Sequence, residues 1–147
     1  MPRAAEVMVV EDSLDDFQAL ARAISRTGVE GVELRHFSSA QEALDHLTGL
    51  ADTTRLPHFM IIDLNMPGMD GKHLLRCIRA DPQISHVPII AMTNSSHAAD
   101  LHECYAQGVN AYIRKPIGFK DMVDAMDATI RFWLGTVDLP RADNLPR

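Results

Sequence analysis

Short apolar runs recur along the chain, and each predicts a strand buried on both faces of a parallel sheet. The runs are 7–10, 59–62, 87–92 and 111–113. A fifth segment, 32–37, mixes apolar with polar positions, as a strand at the edge of a sheet does. Pro88 lies near the start of its run, where a missing amide donor is tolerated. The pattern therefore predicts five strands.

Apolar residues between these runs recur at the spacing of helices that pack one face against a core. The helical stripes are 14–24, 40–50, 74–78, 101–105 and 119–133. Ser39 and Glu42 form a capping box, and Ser96 is placed to cap the fourth helix. Pro82 and Gly108 mark helix ends. Because parallel strands need crossover connections, the alternation predicts a doubly wound α/β domain with helices on both faces.

Five polar residues lie at or just past the carboxyl ends of predicted strands: Glu11, Asp12, Asp63, Thr93 and Lys115. In an open parallel sheet such ends meet in one crevice, where the strand order reverses. The carboxylates would repel one another unless a divalent cation such as Mg²⁺ lay between them. The set suits a carboxylate that accepts a phosphoryl group beside a hydroxyl and an ammonium. Taken singly, each residue has a plainer interpretation as a cap, a turn former or a surface charge.

The bulk composition narrows the function classes. The 147 residues fit one domain with an ordinary core. The 20 acidic against 14 basic residues give a charge of −6, which disfavours nucleic acid and anionic membranes. Cys77 and Cys104 lie outside any CxxC or Cys/His ligand spacing, and no apolar run approaches the roughly 20 residues of a membrane span. We expect a cytoplasmic protein with reduced thiols.

Longer motifs surround the strand ends, and together they resemble the receiver domain of two-component response regulators over about residues 5–134. The motif segments are 9–12 (Val-Val-Glu-Asp), 61–71 (Ile-Ile-Asp-Leu-Asn-Met-Pro-Gly-Met-Asp-Gly), Thr93 and 115–116 (Lys-Pro). The family has the fold of the single-domain chemotaxis regulator. The resemblance implies a flavodoxin-like sheet of five parallel strands in the order 2-1-3-4-5, with five helices.

The resemblance also implies roles for the strand-end residues. Asp63 would accept a phosphoryl group from a histidine kinase, and Thr93 and Lys115 would contact the phosphoryl oxygens. The implied Mg²⁺ ligands are Glu11, Asp12, Asp63 and the backbone carbonyl of Asn65.

Two conformational features follow from the same resemblance. The peptide bond between Lys115 and Pro116 would be cis. Tyr112 occupies the position of the family's switch aromatic, which turns inward when Thr93 moves toward the phosphoryl group; its plainer interpretation is a half-buried strand tyrosine. The surface of the fourth helix, fifth strand and fifth helix is then the expected output face.

The chain departs from the family pattern at a few positions near the site. Asn94 follows Thr93 where the family commonly has a small residue, Glu11 replaces a commoner Asp, and Asn65 and Ser95 hold variable positions. Asn94 is expected to alter access of phosphodonors or water to the phosphoryl group, Asn65 and Ser95 either orient water or fill space, and Glu11 has a longer reach than Asp. The histidines, at 36, 46, 58, 73, 86, 97 and 102, form no HxxxH or HExxH pair, which disfavours a zinc site.

Apolar residues continue past the point where receiver domains usually end. They are Phe132, Trp133, Leu134, Val137 and Leu139. Either the tail folds back on its own domain, or a homodimer exchanges the fifth helix and the extension across a two-fold axis; we favour the dimer. The expected division is a receiver domain, 5–134, and an extension, 135–147. The ending is similar to that of stand-alone regulators paired with bacterial phytochrome kinases, which implies such a kinase as partner.

The leading hypothesis is a stand-alone phosphorylated switch, not a metabolic enzyme, that signals to a downstream protein target or a phosphotransfer protein. An aspartyl phosphatase of the dehalogenase type would need a second Asp two residues after the nucleophile, where this chain has Asn65. The intact acidic set argues against an adaptor that is never phosphorylated. A flavodoxin-like cofactor binder would need a phosphate-cradling loop after the first strand, which the chain lacks.

Overall fold

The computed structural model describes residues 4–66, 68, 70–94 and 98–141. Within these residues, five strands alternate with five helices. The strands are β1 Ala5–Val10, β2 Val32–Phe37, β3 Phe59–Asp63, β4 Ile89–Thr93 and β5 Ala111–Arg114. The helices are α1 Leu14–Arg26, α2 Ala40–Thr48, α3 Gly71–Ala80, α4 Ala98–Ala106 and α5 Phe119–Gly135. A short 3-10 turn, Thr53–Arg55, precedes β3.

The strands form one parallel sheet in the order β2-β1-β3-β4-β5, which confirms the predicted fold. The mixed segment 32–37 lies at the sheet edge, as its pattern indicated. The register aligns Val10 with Phe37 on one side and with Ile62 on the other. Since β1 and β3 end side by side, the residues that follow them begin at the same edge of the sheet.

The fourth strand begins later than the apolar run predicted. The run starts at Val87, but β4 starts at Ile89, directly after Pro88. Pro88 has no amide hydrogen to donate to the ladder, and its carbonyl accepts from the Met60 amide at 2.9 Å. The residue pairing between β3 and β4 therefore begins at Ile89, directly after the proline.

Polar residues cap three helices through their side chains. Ser13 accepts from the Asp16 amide, Ser39 from the Glu42 amide, and Asp70 from the His73 amide. Each bond satisfies an amide that has no partner inside its helix. The predicted cap Ser96 lies outside the described residues, as does Ser95.

Two apolar clusters cover the two faces of the sheet. On one face α1 and α5 pack against Val9, Ile61 and Met92, and on the other α2, α3 and α4 pack against Val10, Ile62 and Ala91. Consecutive strand residues thus alternate between clusters, which explains why the strands are apolar throughout. In the described part of the chain, no helix is both long and apolar enough to cross a membrane.

The tail packs on its own domain as far as Arg141. Trp133 lies against Phe59 with ring centroids 6.2 Å apart, and Leu139 is buried. The Arg141 guanidinium donates to the Leu56 carbonyl at 2.9 Å. These contacts match the fold-back alternative for residues 136–141.

Candidate functional site

Three carboxylates converge at the carboxyl edge of the sheet. Glu11 and Asp12 follow β1, Asp63 ends β3, and one oxygen from each lies within 4.8 Å of the others. Glu11 and Asp63 are buried, and Asp12 is exposed. The group therefore opens to solvent on one side.

Local backbone packing places the Asp63 carboxylate. The first residue of α3, Gly71, lies so close to β3 that a Cβ on it would be 2.4 Å from the Asp63 carbonyl oxygen. Only glycine permits that approach, which seats the start of α3 on the end of β3. The Asn65 amide donates to Asp63 Oδ1 at 3.0 Å. One carboxylate oxygen of Asp63 is thus held by the backbone two residues further along the chain.

Thr93 and the end of β5 complete the opposite wall of the site. Asn65 Nδ2 donates to Thr93 Oγ1 at 2.7 Å, so the side chain of Asn65 bridges β3 and β4. The Lys115 amide donates to the Thr93 carbonyl at 2.8 Å and continues the pairing between β4 and β5. Thr93 itself is fully buried, and its neighbour Asn94 is exposed at the rim.

The Lys115 ammonium lies among three carboxylates. Its Nζ is 2.7 Å from Glu11 Oε1, 3.1 Å from Asp16 Oδ2 and 3.3 Å from Asp63 Oδ2. Burial alone would lower the pKa of Lys115, but the hydrogen bond that Lys115 donates to Glu11 and the charges of Asp63 and Glu11 raise this pKa above its ordinary value. Lys115 therefore stays charged.

Burial and the crowding of carboxylates favour the uncharged form of Glu11. Loss of hydration and the close carboxylate of Asp63 raise the pKa of Glu11 to about 8, against the opposing pull of Lys115. Glu11 Oε2 is buried, and no group among the described residues donates a hydrogen bond to it. A cation would supply the missing partner and remove the repulsion, so the donor set fits a hard divalent metal.

His36 supports the turn after β1, a role that sequence reasoning missed. Its Nε2 lies 2.7 Å from the Glu11 carbonyl oxygen, and its ring stacks on Phe17 of α1 at a centroid distance of 4.0 Å. The Glu11 amide donates to the Phe37 carbonyl at 3.0 Å. The end of β2 thus fixes both backbone groups of Glu11. The only sequence signal for this role of His36 was its position on the predicted edge strand, 32–37.

Asp16 is the second residue that sequence reasoning missed. It lies in the first turn of α1, where an acidic residue needs no explanation beyond the helix dipole. Its signal in the sequence was its place in the first turn of the helix that follows β1, because that turn begins at the carboxyl edge of the sheet.

Tyr112 lies on β5 opposite Ala91 and is half-buried against the cluster formed by α2, α3 and α4. It therefore borders the face predicted for output. Its role as a switch stays a prediction.

The expected cis bond before Pro116 is wrong for this structure. Every peptide bond among the described residues is trans, including that between Lys115 and Pro116. A trans bond before proline is intrinsically favoured by about 0.5–1 kcal/mol, and Lys115 Nζ reaches all three carboxylates with the bond trans.

Comparisons with known proteins agree with this geometry. The family model for the response regulator receiver domain matches residues 7–127. The response regulator RPA3017, described in red light signalling of R. palustris, has a TM-score of 0.86 and 33% identity, covering 94% of this chain and 99% of its own. The phosphorylated cyanobacterial phytochrome response regulator RcpA gives a TM-score of 0.83 and 26% identity, covering 92% and 98%.

A third relative is described with a metal. The Mn²⁺-bound form of the response regulator Rcp1 has a TM-score of 0.81 and 27% identity, covering 92% of this chain and 99% of that chain. In sequence, Rcp1 of Synechocystis sp. is 29% identical over 138 residues, 92% of this chain and 93% of that protein. With the family model spanning most of the chain, and with the sheet order and the acidic strand ends of that family, this protein belongs to the response regulator receiver domain family.

Proposed function

We propose that this protein is a single-domain response regulator that accepts a phosphoryl group on Asp63 from a histidine kinase. The observation that carries the proposal is the placement of the Asp63 carboxylate. It is buried at the carboxyl edge of the sheet, within 4.8 Å of two other carboxylates and 3.3 Å from an ammonium. A merely structural carboxylate would not be surrounded by further negative charge.

The reaction forms one bond and breaks one. An Asp63 oxygen bonds to phosphorus as the bond between phosphorus and the histidine nitrogen breaks, and the nitrogen keeps the electron pair. Asp63 Oδ1 is held by the Asn65 amide, so Oδ2, which faces Lys115, is the oxygen better placed to attack. The product is an acyl phosphate on Asp63.

The residues around Asp63 would receive the transferred group. Thr93 Oγ1 and Lys115 Nζ would donate hydrogen bonds to phosphoryl oxygens; Nζ is 3.3 Å from Asp63 Oδ2, and Thr93 Oγ1 is bonded to the side chain of Asn65, two residues after Asp63. The charge of Lys115 would offset the negative charge that the site gains. Thr93 Oγ1 accepts from Asn65 Nδ2, and a hydroxyl that accepts a hydrogen bond can still donate its own hydrogen to a phosphoryl oxygen.

We propose Mg²⁺ as the cofactor. Glu11, Asp12 and Asp63 would hold it together with the backbone carbonyl of Asn65, and bound Mg²⁺ would neutralise the oxygens of the group in transfer. The buried Glu11 Oε2 supports this assignment, since it has no donor among the described residues.

A bacterial phytochrome kinase is the partner that the relatives favour, because RPA3017 and RcpA are described in red light signalling and as a phytochrome regulator. A crevice of about 830 Å³ opens from Asp63 between α1 and residues 115–122. Exposed apolar side chains line it: Ile117 is fully exposed and Phe119 is 44% exposed. Such residues fit a protein that must bring a phosphohistidine to Asp63.

Downstream, the signal would pass to a target protein or a phosphotransfer protein through the face that Tyr112 borders. The switch would be Thr93 turning toward the phosphoryl group, followed by Tyr112. We do not assign a metabolic activity, because the position two residues after Asp63 is Asn65 and not the acid that aspartyl phosphatases need.

We also propose a homodimer formed through α5. Phe132 is 43% exposed near the end of this helix, while Trp133 and Leu134 are partly buried in their own domain. Since Leu139 is also buried, exposed Phe132 is the better candidate for a contact between copies. Receiver domain 5–134 and extension 135–147 remain our division of the chain.

The test is intact-mass spectrometry after incubation with acetyl phosphate, with and without Mg²⁺. We expect one phosphate adduct on wild type in the presence of Mg²⁺ and none on Asp63→Asn. Asp138→Asn, an exposed aspartate in the tail, is the matched control and should form the adduct like wild type. An adduct that persists in Asp63→Asn would show that a residue other than Asp63 accepts the phosphoryl group. Absence of an adduct from acetyl phosphate and from phosphorylated phytochrome kinases alike would overturn the proposal.

A further inference from the structure

Asp16 lies outside the acidic group that would hold a metal, yet it contacts the same lysine. The three carboxylates that come within 4.8 Å of one another are Glu11, Asp12 and Asp63. Asp16 Oδ2 is 3.1 Å from Lys115 Nζ, and its side chain is 52% exposed. Ser13 Oγ accepts from the Asp16 amide, which fixes the backbone of Asp16 at the start of α1.

The contact between Asp16 and Lys115 matters because an ammonium has three hydrogens to donate. Lys115 directs one toward each of Glu11, Asp16 and Asp63. Once Asp63 carries a phosphoryl group, the hydrogen now directed to Asp63 can meet a phosphoryl oxygen. A metal bound by Glu11 would compete for that carboxylate, whereas Asp16 would be left to hold the lysine.

We propose that Asp16 is a positioning residue for phosphoryl transfer, because it holds the Lys115 ammonium beside Asp63 from the side of α1. This inference rests on the proposed function. A lysine side chain is flexible and loses rotamer freedom when its ammonium is fixed. Asp16 is an acceptor on an anchored helix, so it lowers the entropic cost of fixing the Lys115 ammonium. The fixed ammonium then favours phosphoryl transfer to Asp63.

The reaction that reports on this role is transfer from acetyl phosphate. The bond from Asp63 to phosphorus forms as the bond from phosphorus to the acetate oxygen breaks, and acetate leaves with the electron pair. No proton has to move. The rate therefore depends on the attacking carboxylate and on neutralisation of the phosphoryl oxygens by Lys115.

The experiment compares phosphorylation rates at saturating Mg²⁺ for wild type, Asp16→Ala, Asp16→Glu and Asp15→Ala. Asp15 is the matched control, since it is the exposed neighbour in the same helical turn and carries the same charge. An exposed ion pair supports an effect of about three- to fivefold. We expect that slowing in Asp16→Ala, recovery of most of the rate in Asp16→Glu, and wild-type behaviour in Asp15→Ala.

A double-mutant cycle with Lys115→Met separates positioning from a general effect. In the Lys115→Met background, Asp16→Ala should cause no further slowing, and the Mg²⁺ dissociation constant should stay within about twofold. Equal slowing in both backgrounds, equal effects of Asp15→Ala and Asp16→Ala, or faster transfer in Asp16→Ala would overturn the inference.

An NMR measurement tests the contact without phosphorylation. The Lys115 ammonium should give a slowly exchanging signal in wild type and Asp15→Ala, and faster hydrogen exchange in Asp16→Ala. Unchanged exchange would contradict the inference. If exchange changes as expected but wild type accepts no phosphoryl group, the proposed function fails while the contact stands.

Discussion

The two edges of the sheet carry polar clusters of opposite character. At the carboxyl edge, Lys115 meets three carboxylates, and one buried oxygen of Glu11 has no donor among the described residues. At the amino edge, the Arg79 guanidinium is surrounded by neutral acceptors. These are the carbonyls of Gly108, Ser85 and Val87 and the side-chain oxygen of Asn110, all within 2.9 Å.

The difference lies in how well each cluster is satisfied. Arg79 uses its planar fork to tie the loops before β4 and β5 to the end of α3, and each of its three nitrogens donates. Burial lowers the pKa of Arg79, and no charged partner is needed to hold it. Glu11, in contrast, is left with an unmet oxygen and a raised pKa. A satisfied cluster stabilises the fold, whereas an unsatisfied one is ready for a ligand.

The largest effect on stability should come from the satisfied cluster. Arg79→Ala removes the guanidinium donor of three carbonyls and one of the donors to Asn110 Oδ1, which keeps its bond from the Ile89 amide. This loss should lower the free energy of unfolding by about 2–4 kcal/mol. Arg79→Lys keeps the charge but not the fork, so it should fall between Arg79→Ala and wild type. Urea unfolding followed by circular dichroism gives the values. A loss below about 0.5 kcal/mol in Arg79→Ala would show that water replaces the guanidinium.

At the carboxyl edge, a substitution is expected to raise the stability of the protein. In Glu11→Gln, the amide can donate to Asp63 while its oxygen still accepts from Lys115, which relieves the crowding of carboxylates. Without divalent metal, this variant should be more stable than wild type by about 1 kcal/mol. The measurement is thermal unfolding in EDTA and in Mg²⁺.

Magnesium sharpens the test of Glu11→Gln. Wild type should gain more stability from Mg²⁺ than the variant does, because a ligand that binds the folded state stabilises it in proportion to its affinity. Glu42→Gln serves as control, since Glu42 is an exposed acid in the first turn of α2. If Glu11→Gln destabilises the metal-free protein, then Glu11 is held as firmly as Arg79 and the contrast between the two edges is lost.

The sequence predicted the sheet and the meeting of its strand ends, because both follow from local patterns. Apolar runs such as 59–62 fix the strands, and parallel pairing then brings Asp63, Thr93 and Lys115 to one edge. Asp16 and His36 escaped prediction, since their roles depend on side-chain directions between elements. An acid in the first helical turn and a histidine on an edge strand are both common without any such role.

The tail shows a second limit of sequence patterns. Apolar residues such as Leu139 require cover, but the pattern does not distinguish cover by the same domain from cover by a second copy. The structure places Leu139 against its own domain, with Arg141 bound to the Leu56 and Thr54 carbonyls. Both carbonyls belong to the segment before β3, and the periodicity of the sequence does not predict how that segment lies relative to the tail.

Arg141 joins the tail to the amino edge of the sheet, and its removal should have a much smaller effect on stability than that of Arg79. The guanidinium bonds to the Leu56 and Thr54 carbonyls lie partly at the surface, so Arg141→Ala should lower the free energy of unfolding by about 1 kcal/mol and leave the rate of phosphorylation unchanged. Arg131→Ala is a comparison at the end of α5, where one guanidinium bond reaches the Thr27 carbonyl at 3.0 Å. Sedimentation equilibrium distinguishes the two interpretations of the tail. An unchanged association state in Arg141→Ala fits a strap within one domain, whereas a shift between monomer and dimer would mean that residues 136–141 control contacts between copies.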